Sequence, residues 1–356
     1  MTEDEIIDGL PVPDEGSEEM FEHFRLVADK GQSPVRVDKY IATHVEYTSR
    51  HRVQLAIKNG YVLVNDKVAK ANTIIRPEDV IRFVMPYQRR GVEILPENIP
   101  LNIVYEDDDV LVVNKPAGMV VHPGHGHFSG TLINALAFHL GLSQGPDAED
   151  ERMGILVHRI DKDTSGLLLV AKNPEAQLNL AGQFFVHSID RLYVAVVWGN
   201  IQEDEGTITT TIGRDPNDRL RFRVYDDPEK GKIAITHYKV IERLGFITVV
   251  ECRLETGRTH QIRVHMSHIG HPLFNDERYG GSEIRKGTIY TKYKQFIQNC
   301  FEVCPRQALH AKTLGFDHPS SGKRVFFDSP IPEDMSALIE KWRKYTATLS
   351  TPSSTQ

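Results

Sequence analysis

The stretch GILVHRIDKDTSGLLLVAKN, residues 154–173, places a polar loop between two apolar runs. The second run, GLLLVAK at 166–172, is short and apolar, which is typical of a buried strand. A polar loop held between buried strands is rigid yet open to solvent, where reactive side chains are usually found. The guanidinium of Arg159 favours the ionised form of Asp161 nearby. From the residues alone, Asp161 is either a catalytic carboxylate or half of a structural Asp–Arg pair, and Asp163 is a turn residue.

Strand-like and helical patterns alternate on both sides of this loop. Four further apolar runs predict strands, and four stretches with apolar residues on one helical face predict helices. This mixture predicts an α+β fold with a mixed or antiparallel sheet. The predicted strands are 110–113, 193–199, 233–240 and 246–255, and the predicted helices are 131–140, 174–185, 260–270 and 332–345.

Charge divides the chain unevenly. Residues 1–34 hold ten acidic and two basic side chains, whereas residues 35–90 hold eleven basic and five acidic ones. The basic stretch also predicts two short helices and a small sheet, and FEHFRLVA at 21–28 can pair with it as a strand. The predicted segments are an acidic arm at 1–34, a small basic module at 35–90, a linker at 91–100, a larger α+β domain at 101–345 and a disordered tail at 346–356.

The composition excludes several classes of protein. The chain has 356 residues, of which 40% are hydrophobic and 26% charged, as in ordinary globular proteins. No apolar run reaches the roughly 20 residues of a membrane span, and the acidic start predicts no secretory signal. Three cysteines predict a reducing, cytoplasmic location. The net charge of −7 argues against a nucleic-acid partner, but a basic module beside an acidic arm is compatible with one.

A second polar stretch, LETGRTHQIRVHM at 254–266, leaves a strand, turns at Gly257 and enters a helix. Arg263 lies beside the apolar stripe of that helix. A metal site is one interpretation of its histidines, but the spacing of His260 and His265 is five residues rather than the four of a helical ligand pair. Arginines that bind a phosphate or a carboxylate are the favoured alternative.

Nucleotide-binding motifs are absent from the sequence. It contains no G-x-x-x-x-G-K-[ST] loop, no G-x-G-x-x-G turn after a strand and no G-x-S-x-G elbow. We therefore expect no nucleotide or nicotinamide cofactor and no metal, and we expect the chemistry to depend on a few side chains.

The loop and its strand, HRIDKDTSGLLLVAK, closely resemble the H-R-L-D-x-x-T-S-G-L-L-L segment of the RluA/RluC/RluD-type pseudouridine synthases. Three further stretches occur in the order that the family shows. They are VVNKPAG at 112–118, RLYVAVVWG at 191–199, and LETGRTHQIRVHM with the following IGHPLFNDERYG, up to residue 280. The module at 35–90 is similar to the S4 RNA-binding domain that many of these enzymes carry.

The resemblance implies that the domain at 101–345 isomerises uridine to pseudouridine within RNA. The glycosidic bond is cut, the base turns, and C5 is joined to C1′ of the ribose. Asp161 is then the essential carboxylate, which either attacks C1′ or takes a proton from C2′. Tyr193 packs against the base and helps to remove the C5 proton, and Arg263 pairs with the carboxylate. Arg159 fills the gap that the extruded nucleotide leaves.

The expected partner is RNA, and large-subunit ribosomal RNA in particular, because an S4-like module is present. Oligomeric state and the identity of the modified uridines are not predicted. The residues expected to bind RNA are Arg159, His158 and Arg258 in the larger domain and Arg36, Arg50, Arg52 and Lys58 in the module.

Three alternatives stay open at this point: a non-catalytic RNA-binding or ribosome-assembly factor, a synthase directed at transfer RNA, and a nucleoside or glycoside hydrolase. The sequence also departs from the family pattern. Arg191 stands where lysine is frequent, and Asn275-Asp276 replaces Gly-Asp. The segment 283–312 is longer than in many relatives, and is either an RNA-facing excursion or a pair of surface helices.

Overall fold

The computed structural model describes residues 21–44, 50–58, 60–70, 72–85, 94–122, 129–141, 156–218, 220–288 and 290–350. The chain divides into two compact units, Met1–Glu93 and Ile94–Gln356.

The first unit packs two helices on a small antiparallel sheet. Its sheet has the strand order β1-β6-β3-β4, and β2 pairs separately with β5. The core includes Val37 and Ile41 from the first helix and Val53 and Ile57 from the second, at the helical spacing of four. The elements are β1 (Phe21–Val27), β2 (Val35–Arg36), α1 (Val37–His44), α2 (Arg50–Lys58), β3 (Val62–Val64), β4 (Lys67–Val68), β5 (Ile74–Ile75) and β6 (Val80–Met85).

The sheet of the module extends into the predicted arm at 1–34. Strand β1 pairs antiparallel with β6 along its length, from Phe21 opposite Met85 to Val27 opposite Val80. The pairing predicted for 21–28 therefore makes this part of the arm an edge strand of the module, because ladder hydrogen bonds join it to the sheet. Residues 1–20 lie outside the described residues.

The second unit contains the larger sheet and five named helices of the described chain. Its strands are β7 (Ile103–Glu106), β8 (Val110–Lys115), β9 (Ser165–Ala171), β10 (Asp190–Trp198), β11 (Glu205–Arg214), β12 (Phe222–Tyr225), β13 (Lys232–Arg243), β14 (Ile247–Leu254), β15 (Leu309–Asp317) and β16 (Arg324–Asp328). Its helices are α3 (Leu132–His139), α4 (Pro174–Phe185), α5 (Gln261–His268), α6 (Thr291–Val303) and α7 (Glu333–Ser350).

The sheet of the second unit has ten strands in the order β12-β11-β13-β14-β10-β15-β9-β8-β7, with β16 beside β15. Every pairing is antiparallel except that of β15 with β9, which is parallel. The predicted α+β fold with a mixed sheet is therefore confirmed.

Helices cover both faces of this sheet. Successive residues of a strand point to opposite faces, so β10 contributes Tyr193, Ala195 and Val197 to one core and Val194, Val196 and Trp198 to another. The core around Tyr193 includes residues of α3 and α5, and the core around Trp198 includes residues of α6 and α7. No described helix is both long and apolar enough to cross a membrane.

Within the described residues, the segment 283–312 contains one helix and the start of a strand rather than the predicted pair of surface helices. Helix α6 buries Tyr293, Ile297 and Cys300, at the spacing i, i+4 and i+7, in the core around Trp198. The last four residues of the segment begin β15, which lies between β10 and β9. Residues 283–288 and 290–292 are exposed, so this part of the segment lies at the surface, whereas one face of α6 and the start of β15 contribute to the core.

The ends of the larger domain also differ from the prediction. Residues 94–100 of the predicted linker belong to the second unit, since Ile94 packs with Ile133 and Ala137 of α3. Helix α7 continues to Ser350, where the sequence predicted a disordered tail from 346. The Thr346 hydroxyl donates a hydrogen bond to the Leu244 carbonyl at 3.1 Å, which ties the last turns to the sheet. Residues 351–356 lie outside the described residues.

Candidate active site

The polar loop before β9 places Asp161 against helix α5. Arg263 Nη1 of that helix donates to Asp161 Oδ2 at 3.0 Å. The other side of the same guanidinium donates to Asp276, with Nε to Oδ2 at 2.7 Å and Nη2 to Oδ1 at 2.9 Å. The side chain of Asp276 is fully buried, whereas that of Asp161 is 22% exposed. Arg263 therefore bridges a buried carboxylate to one that solvent can reach.

Asp276 is fixed in turn by the backbone that surrounds it. Its Oδ1 accepts hydrogen bonds from the amides of Arg278 and Tyr279, both at 3.1 Å. Asn275, the departure from the family's glycine, has φ of +57°, a left-handed conformation that asparagine tolerates better than most residues. Its side-chain amide donates to the carbonyl of Cys304 at 2.8 Å, beyond the end of α6. The substitution therefore preserves the turn that presents Asp276.

The electrostatics of Arg263 are dominated by its two carboxylate partners. Burial alone would lower the pKa of its guanidinium, but the hydrogen bonds and charges of Asp276 and Asp161 outweigh burial and raise it above its usual range. The Tyr279 ring packs 5.0 Å from the Arg263 guanidinium carbon and limits its movement. Arg263 is thus a permanently charged and oriented partner for Asp161.

A second group, His260, also faces the Asp161 carboxylate. Its Nε2 lies 3.9 Å from Asp161 Oδ2, and its Nδ1 lies 2.8 Å from the Tyr279 hydroxyl. The Tyr279 hydroxyl oxygen accepts a hydrogen bond from the Phe222 amide, so we assign this hydroxyl as the donor to Nδ1 of His260. The proton of the neutral imidazole ring is then on Nε2. Burial lowers the pKa of His260 to about 4, so the ring is neutral near pH 7.

Tyr193 lies in the middle of the sheet on the face that α5 covers. It is 7% exposed and packs with Ile160 of the polar loop and Ile262 of α5 in one core. Burial raises the pKa of its phenol; the charge of Arg191 opposes this, and that of Asp161 adds to it. The structure therefore brings the three residues predicted to be catalytic, Asp161, Tyr193 and Arg263, into one site.

Lys115, for which the sequence predicted no role, holds the polar loop through hydrogen bonds to backbone carbonyls. Its ammonium is fully buried and donates to the carbonyls of Pro116, Met119 and Lys162 at 2.8–2.9 Å. Three acceptors match the three donors of a lysine. Burial lowers its pKa to about 7. Since Lys162 follows Asp161 directly, this contact fixes the backbone that carries the carboxylate.

Arg306 holds the next carbonyl of the same loop. Its Nη1 donates to the Asp163 carbonyl at 3.0 Å, and its Nη2 donates to the Ser165 hydroxyl at 3.2 Å. Asp334, at the start of α7, accepts from its Nε and Nη2 at 2.7 and 3.0 Å.

At Gly166, a Cβ atom would lie 2.2 Å from the Ala311 carbonyl oxygen, so only glycine lets β9 approach β15 this closely.

The residues of this unit that were predicted to bind RNA have different surroundings. Arg159 is exposed beside the site, and no described residue accepts a hydrogen bond from it. The Arg258 Nε donates to the Ile233 carbonyl at 3.0 Å. His158 accepts a hydrogen bond from the Leu169 amide through its Nε2 at 2.8 Å, and its ring packs on Phe184. Burial lowers its pKa to about 3, so the ring is neutral near pH 7.

In the first unit, two of the predicted arginines converge on one carboxylate. Arg36 and Arg50 donate to the fully buried Asp38 at 3.0–3.1 Å, while about half of each arginine side chain stays exposed. Burial would raise the pKa of Asp38, but hydrogen bonds from Gln54 and these two arginines lower it to about 2. Lys58 is exposed at the end of α2. Arg52 lies in α2, and its side chain lies outside the described residues.

The histidines considered as metal ligands are engaged in other contacts. Both nitrogens of the buried His265 lie 2.9 Å from threonine hydroxyls, those of Thr210 and Thr236. Among the described residues, one group has the spacing of a metal site, Asp107, Asp109 and His318, away from Asp161. His318 already bonds Asp107 at 2.7 Å, which joins the β7–β8 turn to the β15–β16 turn. Of the loop at 122–127, residues 123–127 lie outside the described residues.

Comparison with known proteins gives the same class as the fold and the site. The family model described as RNA pseudouridylate synthase matches residues 109–268, and the S4 domain model matches residues 35–81. The uncharacterized RNA pseudouridine synthase YlyB of Bacillus subtilis is 47% identical, over 90% of this chain and 98% of its own length. The ribosomal large subunit pseudouridine synthase D of Pseudomonas aeruginosa is 42% identical, over 87% of this chain and 92% of its own.

A solved structure is also similar. The human protein RNA pseudouridylate synthase domain containing 1 matches with a TM-score of 0.50 and 26% identity, over 75% of this chain and 99% of its own. The chain belongs to the RNA pseudouridine synthase family, and it is an isomerase with an S4 domain.

We predict that Lys115→Met removes the anchor of the Asp161 loop. Three buried carbonyls lose their donor, so the free energy of unfolding should fall by about 3 kcal/mol or more at pH 8, and the isomerisation rate should fall with it. Denaturant unfolding and single-turnover kinetics measure both. The matched control is Lys172→Met, which removes a partly exposed lysine that bonds the Asp107 carbonyl and Glu106.

The difference in stability between wild type and Lys115→Met should also depend on pH. The pKa of Lys115 is depressed in the folded chain, so the unfolded chain binds this proton more tightly. The stability that Lys115 contributes is therefore full above the ordinary lysine pKa and declines as the pH falls through about 7. The stability gap between wild type and Lys115→Met should widen from pH 7 to about pH 10. A gap that stays constant or narrows would contradict the buried, depressed lysine.

Proposed function

We propose that this pseudouridine synthase modifies uridines of large-subunit ribosomal RNA and that Asp161 is its catalytic carboxylate. The observation that carries the second part is the ion pair of Asp161 with Arg263, 3.0 Å long, at a loop that solvent can reach. The first part is supported by the relative from Pseudomonas aeruginosa, whose name specifies the ribosomal large subunit.

The reaction places defined demands on the carboxylate. Cleavage of a glycosidic bond develops positive character on the ribose, which a nearby carboxylate stabilises. Asp161 meets this demand because one of its oxygens accepts from Arg263 and the carboxylate is partly exposed. The isomerisation consumes no water and transfers no electrons, so positioning and charge are the chemistry that these side chains supply.

A hydrolase would need a further group to deliver water. The neutral His260 is 16% exposed, and its Nε2 atom lies 3.9 Å from the Asp161 carboxylate. A paired general acid and base would normally be two carboxyl groups separated by about 5 to 9.5 Å. Asp276, the second carboxylate of the site, is fully buried behind Arg263 and cannot take that role.

The base must leave its stack to reach Asp161. Extrusion costs a few kcal/mol, which an aromatic surface and an inserted cation offset. Tyr193 supplies the aromatic surface at the site, and the exposed Arg159 supplies a cation without an intramolecular partner among the described residues. We therefore assign Tyr193 to the uracil ring and Arg159 to the gap in the RNA.

The free cysteines agree with a cytoplasmic location, which we also propose. Cys252, Cys300 and Cys304 are all unpaired and buried. Reduced cysteines are usual in a reducing compartment, where ribosomal RNA is also found.

We predict that Asp161→Asn abolishes isomerisation while RNA affinity falls less than about tenfold, since the variant loses the charge but keeps the shape. The assay is release of tritium from RNA labelled at uridine C5. The matched control is Asp163→Asn in the same loop, which removes the same charge but keeps the carbonyl that accepts from Arg306.

Three outcomes separate the candidate activities. A synthase releases tritium without free uracil, a hydrolase releases uracil, and an RNA-binding factor releases neither. Full activity of Asp161→Asn, or equal losses in Asp161→Asn and Asp163→Asn, would overturn the assignment of Asp161.

We predict that the target is large-subunit ribosomal RNA rather than transfer RNA. Pseudouridine mapping in cells that lack the protein should show lost modification at one or more uridines of that RNA. Restoring the wild-type gene should restore them, and restoring Asp161→Asn should not. Losses confined to transfer RNA would contradict the proposed target while leaving the isomerase activity intact.

We further propose that Arg36 and Arg50 contact RNA phosphates from the S4 domain, because Asp38 orients both while half of each side chain stays exposed. Replacing both with glutamine should weaken RNA binding. It should also reduce the slope of log affinity against log salt concentration by about the contribution of two phosphate contacts. The control replaces two exposed lysines, Lys30 and Lys67, and removes the same charge. An unchanged salt slope in the arginine variant would contradict this role.

A further inference from the structure

Arg191 is a buried arginine for which the described protein provides no hydrogen-bond acceptor. It lies in β10, two residues before Tyr193, and is 8% exposed. Its Nε atom is buried without a partner, and no described carbonyl or carboxylate accepts from either of its Nη groups. A buried cation without a counter-charge is costly, because the lost hydration is not replaced.

The other buried arginines of the domain do not share this property. Arg263 has Asp276 and Asp161, and Arg306 has Asp334. The Phe184 ring, 5.3 Å from the Arg191 guanidinium carbon, supplies a cation–π contact but no acceptor. Burial lowers the pKa of Arg191, as expected for a guanidinium that lacks a carboxylate. The site therefore holds an unbalanced positive charge.

The surroundings of Arg191 are those of the active site. Residues two apart in a strand point to the same face, so Arg191 shares the face of Tyr193. At Gly257 a Cβ atom would lie 2.7 Å from Arg191 Nη1, so the glycine turn leaves the room that this guanidinium occupies. The same turn leads into His260, which faces Asp161. Arg191 thus lies along the wall that joins Tyr193 to the Gly257 turn.

We propose that Arg191 binds a phosphodiester group of the RNA strand beside the target uridine. This inference rests on the proposed function, because an extruded nucleotide stays joined to a phosphate on each side. A phosphodiester supplies both the missing acceptors and the missing negative charge, and the planar fork of arginine fits it. The uracil ring carries no charge, so the base cannot balance the guanidinium in this way.

The test is a phosphate-neutralisation scan measured as RNA affinity. The probe is a stem–loop of large-subunit ribosomal RNA bound by the wild-type protein, in which each phosphate is replaced in turn by an uncharged methylphosphonate. The proteins are wild type, Arg191→Gln, Arg191→Lys and the control Arg253→Gln. Arg253 is exposed and pairs with Leu192 of the neighbouring strand, so it lies on the opposite face of the sheet from Tyr193. Its replacement by glutamine removes the same charge as Arg191→Gln.

One neutral linkage next to the target uridine should weaken binding by wild type about tenfold, as expected for a charged hydrogen bond. Arg191→Gln should bind the unmodified RNA about tenfold more weakly than wild type does. Neutralising the same linkage should not weaken binding by this variant any further. Arg191→Lys should keep part of the sensitivity, because the charge remains but the fork does not. Arg253→Gln should respond to each linkage as wild type does.

The proposal is overturned if wild type tolerates every neutral linkage beside the target, a result that does not depend on any variant folding. It is also overturned if Arg191→Gln loses as much affinity at the sensitive linkage as wild type. Tritium release by the wild type, measured alongside, separates this failure from failure of the proposed catalysis. A sensitive linkage without tritium release leaves the phosphate site standing, and tritium release without a sensitive linkage removes it.

Discussion

One guanidinium, that of Arg263, joins the fold to the chemistry. It donates to the fully buried Asp276 on one side and to the partly exposed Asp161 on the other. A buried ion pair is stable only when its remaining donors and acceptors are satisfied. Here the backbone amides of Arg278 and Tyr279 complete the coordination of Asp276. The position of the Asp161 carboxylate therefore depends on Arg263 and on Asp276, which is fixed in the protein interior.

The loop that carries Asp161 is held by two buried basic side chains as well as by the sheet. Lys115 binds the Lys162 carbonyl and Arg306 binds the Asp163 carbonyl, so two consecutive peptide groups after Asp161 have side-chain donors. These donors come from β8 and from the residues before β15, which lie on either side of β9. A site supported in this way is rigid before substrate binds, and preorganised charge is the largest contribution in many enzymes.

Local patterns in the sequence predicted much of this structure. The helix at 174–185 has the predicted bounds, because Asn173 caps its first turn. The association of Asp161, Tyr193 and Arg263 followed from the family resemblance. Strand β15 was missed because its position depends on partners more than a hundred residues away, such as Ser165 opposite His310. Lys115 was missed because its partners are backbone carbonyls, which leave no signature in side-chain spacing. Arg306 was missed because its partners, Asp334 and the loop before β9, are distant in the sequence.

The central claim is that Asp161 and Arg263 act as one unit on the ribose of the target uridine. A double-mutant cycle tests it most directly, with single-turnover isomerisation measured for wild type, Asp161→Asn, Arg263→Lys and the double variant. If the two residues act together, the double variant is no slower than the slower single variant. If the two rate losses multiply as independent effects, the residues act separately and the account is contradicted.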